Sequence, residues 1–93
     1  MTADTAMEFR ITGRVQGVSF RAWTQAEAEA RGLSGWVRNE ADGSVTACLS
    51  GPAEALADIR KALWQGPPAA QVAQVAATPC PPPAGGHGVR IAG

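Results

Sequence analysis

Two short alternating runs joined through an Asp-Gly turn constrain this chain more than any other feature. Leu33–Asn39 (LSGWVRN) and Ser44–Ser50 (SVTACLS) flank Glu40-Ala41-Asp42-Gly43. Glycine accepts the positive φ that tight hairpin turns demand, so the pattern predicts an antiparallel strand pair. Val45, Ala47 and Leu49 fall on one face of the second strand, and Thr46, Cys48 and Ser50 fall on the other.

The segments on either side extend this unit. Met7–Val15 (MEFRITGRV) sets Phe9, Ile11 and Val15 against Glu8, Arg10, Thr12 and Arg14, the period-two pattern of a half-buried strand, with Gly13 interrupting its apolar face. Ser19 reads as the N-cap of a helix over Phe20–Arg31 that Gly32 closes. Phe20, Trp23, Glu27 and Ala30 form its expected inward stripe, with Ala26 beside it. Gly51-Pro52 opens a second helix with proline in the first turn; Leu56, Ile59 and Leu63 mark its buried face, and Gly66-Pro67-Pro68 ends it. Gln71–Thr78 predicts a strand in which Val72 and Val75 are out of phase, a spacing that asks for a bulge. Val89-Arg90-Ile91 reads as a final edge strand.

The resulting order is β-α-β-β-α-β plus a short edge strand. That is the ferredoxin-like, split-βαβ arrangement of the α+β class: an antiparallel sheet with two helices on one face. A length of 93 residues fits one domain over 1–93, with residues 1–6 as a flexible N-terminus and 79–88 as a Pro/Gly-rich loop.

Charge narrows the function. Eight basic residues balance eight acidic ones, at a pI near 6.5. Bulk attraction to nucleic acid or to an anionic membrane needs a basic face, so neither partner is expected. No apolar run approaches the ~20 residues of a spanning helix. Met1–Ala6 lacks the basic-then-apolar block of a signal peptide, which points to the cytoplasm. Cys48 and Cys80 are too few for a disulfide framework and lack zinc spacing, so two separate free thiols are expected. His87, the one histidine, lies in Gly-Gly-His-Gly, a poor mount for a general base. No Walker lysine motif, HExxH or GxSxG is present. Trp23, Trp36 and Trp64 are assigned to packing, and Asp42 to the hairpin turn.

One stretch can carry chemistry. In Gly13-Arg14-Val15-Gln16-Gly17-Val18-Ser19-Phe20-Arg21 a strand ends, a glycine turn follows, and a helix starts with arginine in its first turn. The leading N–H groups of a helix have no internal acceptors, and a preceding turn can aim more of them at an anion. Arginine adds a planar charged fork matched to two phosphate oxygens. The same residues also describe an ordinary β-α turn with a surface arginine. Asn39, before the hairpin turn, either caps its own backbone or points its amide toward that anion.

Together, GRVQGVSFR at 13–21, Gly32-Leu33-Ser34-Gly35-Trp36-Val37-Arg38-Asn39, Asp42-Gly43-Ser44-Val45 and Gly51-Pro52 closely resemble the acylphosphatase family, and the match runs from about Phe9 to Val75. The resemblance implies hydrolysis of small acyl phosphates without metal; no other cofactor is expected, and nothing in the sequence demands more than a monomer. It implies that Arg21 binds phosphate, that Asn39 positions the attacking water, and that the amides of Gln16, Gly17, Val18, Ser19 and Phe20 cradle phosphate oxygens. The chain departs from the family pattern after Val75, where Val89-Arg90-Ile91 stands in place of a stronger strand with an aromatic. A non-catalytic acyl-phosphate or phosphate-binding module is the alternative. An RNA-recognition module, which shares the element order, is disfavoured because Phe9 is the one aromatic on the first strand and the third strand has none.

Overall fold

The computed structural model describes residues 5–83 and 87–93. The elements run β1 (Thr5–Arg14), α1 (Phe20–Ala30), β2 (Ser34–Asn39), β3 (Val45–Gly51), α2 (Ala53–Gln65), β4 (Gln71–Pro79) and β5 (Val89–Ile91). Alternation along the strands becomes the two faces of one sheet. Phe9 and Ile11 of β1, Val37 of β2, Val45, Ala47 and Leu49 of β3 and Val75 of β4 all enter one buried cluster. Phe20 and Ala28 of α1, with Leu56, Ile59 and Leu63 of α2, close over the same cluster, so both helices share one face.

The strand order is β4-β1-β3-β2-β5, with β3 at the centre. The hairpin forms in the expected place, Asn39 pairing Val45 and Ser34 pairing Ser50. β5 joins the far edge parallel to β2, so the sheet is mixed rather than wholly antiparallel. The chain reaches that edge from the opposite side of the sheet and runs alongside β2 in the same direction.

The phase conflict in β4 resolves as a bulge. Thr12 pairs Gln74 but Gly13 pairs Val72, which leaves Ala73 as the extra residue. That insertion turns both Val72 and Val75 toward the core. Gly13 makes it possible: at φ 118 it lies so close to β4 that a Cβ would sit 2.2 Å from the Gln71 carbonyl oxygen and 2.6 Å from the Ala73 nitrogen.

The structure corrects several details. The buried stripe of α1 is Phe20, Thr24 and Ala28, while Trp23 is half-buried and tilted against Phe20 with ring centroids 5.4 Å apart. Two small side chains on that stripe let the helix approach the sheet where an indole would hold it off. The Thr24 hydroxyl oxygen is buried there and has no hydrogen-bond partner among the described residues. Trp64 is 47% exposed rather than packed, and Trp36 lies half-buried beneath the Arg38 guanidinium at 4.6 Å. Pro52 occupies the N-cap position of α2, just ahead of its first turn. The two cysteines are free but not separate, since their sulfurs lie 3.0 Å apart. Thr5 and Ala6, expected in the flexible N-terminus, belong to β1, and Pro79 belongs to β4. Residues 1–4, and 84–86 of the expected loop, lie outside the described residues.

The hairpin turn is held by Asp42. Its Oδ1 accepts from the Ser44 amide (2.9 Å) and hydroxyl (2.6 Å), and its other oxygen meets Arg10. These donors, the Ser44 hydroxyl foremost, hold the Asp42 carboxyl down at about 2. A depressed acid contributes stability that is present above its unfolded pKa and lost as pH falls through the folded one. Asp42→Asn is therefore expected to lower the melting temperature at neutral pH, with the gap to wild type closing between about 4 and 2. Thermal melts across that range check it. Gly13→Ala is expected to cost at least ~2 kcal/mol, because either the bulge or the strand must shift. Urea unfolding reads this as a lower midpoint at unchanged slope.

Candidate active site

The split topology brings the two motifs together in a way adjacency in the sheet would not. β1 and β2 are not neighbours, because β3 lies between them. Ile11, Val45 and Asn39 form one row across the three strands. The loop after β1 must therefore pass over the start of β3 to reach α1. Gln16 ties it there: its side-chain amide donates to the carbonyls of Glu40 (2.8 Å) and Ser44 (2.9 Å), at either end of the hairpin turn. Its side chain thus fixes the loop against the turn that follows Asn39, a role the sequence did not reveal.

The loop backbone alternates in hand. Gly17 (φ 74) and Ser19 (φ 64) are left-handed, whereas Val18 and Phe20 are not. Such alternation turns successive N–H groups to one side and makes a concave anion seat. Ser19 is thus no ordinary cap: its hydroxyl makes no capping bond. The first helical bond runs from the Trp23 amide to the Ser19 carbonyl (3.0 Å), which leaves the amides ahead of Trp23 in the first turn of α1 without helical acceptors.

Gly17, Ser19, Phe20, Arg21 and Asn39 line one cleft of about 390 Å³, together with Val15, Ala22 and Ile91. Of the expected site residues, the Gln16 and Val18 side chains do not line it. Val18 is half-buried against the core. Arg10, Arg31 and Arg38 are paired with side-chain carboxylates, whereas Arg21 has no Asp or Glu partner among the described residues. It donates to a main-chain oxygen of Gly93, which also accepts from the Asn39 main-chain amide (3.0 Å). The Asn39 side chain makes no hydrogen bond among the described residues, and Asp42 does the capping of the turn. His87 is exposed and faces a different hollow, beside Glu29 and Ser34. Sequence reasoning missed Val15, Ala22, Ile91 and the Gly93 oxygen. The first three carry no chemical signature, and the last is main chain.

The molecule is thus a ferredoxin-like α+β domain in which Arg21 and Asn39 share one cleft with a loop of alternating hand, and among the described residues no His, Asp or Glu side chain lines that cleft. The acylphosphatase family description matches residues 7–91. An acylphosphatase of Rhizobium meliloti is 60% identical over 77 residues, covering 82% of this chain and 81% of that protein. A solved acylphosphatase from Coxiella burnetii superposes with a TM-score of 0.90 at 30% identity, covering 96% of this chain and 93% of that one. One from Bacillus subtilis gives 0.87 at 37%, covering 94% and 97%. The chain belongs to the acylphosphatase family.

The left-handed Ser19 generates a prediction that separates it from a true cap. Ser19→Ala is expected to leave stability within a few tenths of a kcal/mol, where loss of a working cap costs ~1. Ser19→Val is expected to lose at least ~1 kcal/mol, since a branched side chain is strained in that conformation. Denaturant midpoints of the two variants distinguish these outcomes.

Proposed function

We propose that this chain hydrolyses the carboxyl–phosphate bond of acyl phosphates to a carboxylate and inorganic phosphate, without a metal. The observation that carries the reading is that Arg21 and Asn39 share one cleft with the alternating-hand loop. In this scheme the Arg21 fork and the amides of the Gln16–Phe20 stretch hold the phosphate oxygens. Charge in a loose phosphoryl-transfer transition state spreads over those oxygens, so donors placed there stabilise it directly. The leaving carboxylate is weakly basic and needs no protonation, which removes the demand for a general acid.

Asn39 has no basic group at neutral pH. Its unpaired side-chain amide holds a water in line with the phosphorus, a contribution of positioning rather than proton abstraction. The water's proton passes to a phosphate oxygen of the substrate, a route consistent with a cleft that no His, Asp or Glu side chain lines among the described residues. Among the described residues, no three His, Cys, Asp or Glu side chains converge as metal ligands. We further place the chain in the cytoplasm, as a single monomeric domain over 1–93 acting on a small-molecule substrate with no nucleic-acid or membrane partner. No helix among the described residues is long and apolar enough to cross a membrane.

The test is hydrolysis of an aromatic acyl phosphate by the purified chain with a chelator present. Wild type is expected to turn over, and Arg21→Gln to lose at least ~10²–10³-fold in rate. Asn39→Ala is expected to lower turnover while leaving inhibition by inorganic phosphate nearly unchanged. Equal loss of phosphate affinity in both variants contradicts the division of roles. A folded wild type with no turnover leaves the phosphate-binding module as the better reading.

A further inference from the structure

We propose that Cys48 and Cys80 are an oxidative modification site, closed to an intrachain disulfide by exchange with a small-molecule disulfide such as oxidised glutathione. Cys48 lies on β3 and Cys80 directly follows β4, and β1 separates those strands in the sheet. Strands two places apart are ~10 Å from one another, so side chains on them do not ordinarily touch. Here the sulfurs are 3.0 Å apart, about 1 Å longer than a disulfide bond.

Two further contacts explain the approach. The Cys80 amide donates to the Ala6 carbonyl (3.1 Å), which extends the β1–β4 ladder beyond Pro79. The Pro81 carbonyl then lies 4.0 Å from the Cys48 sulfur. The chain after β4 thus leans back across β1 toward β3, on the face opposite the helices. Cys48 alternates with the core-facing Ala47 and Leu49 and is nonetheless buried, because this segment covers it.

Cys80 is half-exposed and Cys48 is buried, which sets the order of events. The Cys80 thiolate attacks one sulfur of the glutathione disulfide and expels a glutathione thiolate. The Cys48 thiolate then attacks the Cys80 sulfur and expels the second. Two protein thiols and one disulfide become one protein disulfide and two glutathione thiols. Burial and the neighbouring Cys80 sulfur push the Cys48 thiol up to about 12, so its thiolate is scarce and the second step limits the rate. The closed loop spans positions 32 apart in sequence, long enough for a cross-link to restrict the unfolded chain strongly.

The experiment treats the native full chain with oxidised glutathione, quenches with an alkylating agent, and reads intact mass, peptide linkage and melting temperature. The expected result is a mass loss of about 2 Da with no alkylation, a Cys48–Cys80 cross-linked peptide, and closure that accelerates about tenfold per pH unit from 7 to 9. The melting temperature is expected to rise by ~10 °C or more and to fall back with dithiothreitol. Cys48→Ser should stop at a glutathione adduct on Cys80. A stable adduct in wild type, disulfide-linked dimers, or two thiols that alkylate after treatment would overturn the proposal.

Discussion

A chain that passes from β1 through a helix to β2 while leaving room for a strand between them must carry its first loop across the end of that strand. Here the gap is filled by β3, and everything at the cleft depends on how the crossing is secured. Gln16 secures it with two hydrogen bonds to the backbone at either end of the hairpin turn. The loop, the turn and the end of β2 become one unit, so Arg21, from a helix, and Asn39, from a strand, keep a fixed relation. Main-chain acceptors suit this purpose. They are set by the fold of the turn and do not titrate.

The electrostatic arrangement follows the same logic. The chain is neutral overall, and Arg10, Arg31 and Arg38 are met by side-chain carboxylates, as in the Arg31 pairs with Glu27 and Asp58. Arg21 is met by a main-chain oxygen of Gly93 instead. That contact directs the guanidinium from the backbone that follows β5, which the Asn39 main-chain amide also holds. Arg14, Arg60 and Arg90 likewise have no Asp or Glu partner among the described residues, so what sets Arg21 apart is its place on the cleft.

Much of this was legible in the sequence, for identifiable reasons. The strands and the hairpin follow from period-two alternation and Asp42-Gly43, and the bulge follows from the three-residue spacing of Val72 and Val75. The expected placement of Arg21 and Asn39 at one site rested on the resemblance of two motifs, since the bare residues allowed blander readings. Other features were hidden because they depend on backbone or on distant packing. Ser19 has the composition of a cap, but its role is set by its left-handed φ. Trp23 outweighs Thr24 in any hydrophobicity pattern, yet space against the sheet selects the smaller residue. The Gly93 oxygen and the Cys48–Cys80 contact are made by segments far apart in the chain, where no local spacing could announce them.

The bulge in β4 has a consequence beyond core packing. An open sheet offers unpaired amides at both margins, and these can recruit another chain's strand. At one margin β4 is kinked by its extra Ala73 and finishes at Pro79, which has no amide to donate. At the other, β5 is three residues long. Neither border presents a long, straight ladder, so the folded sheet is a poor template for edge-to-edge assembly.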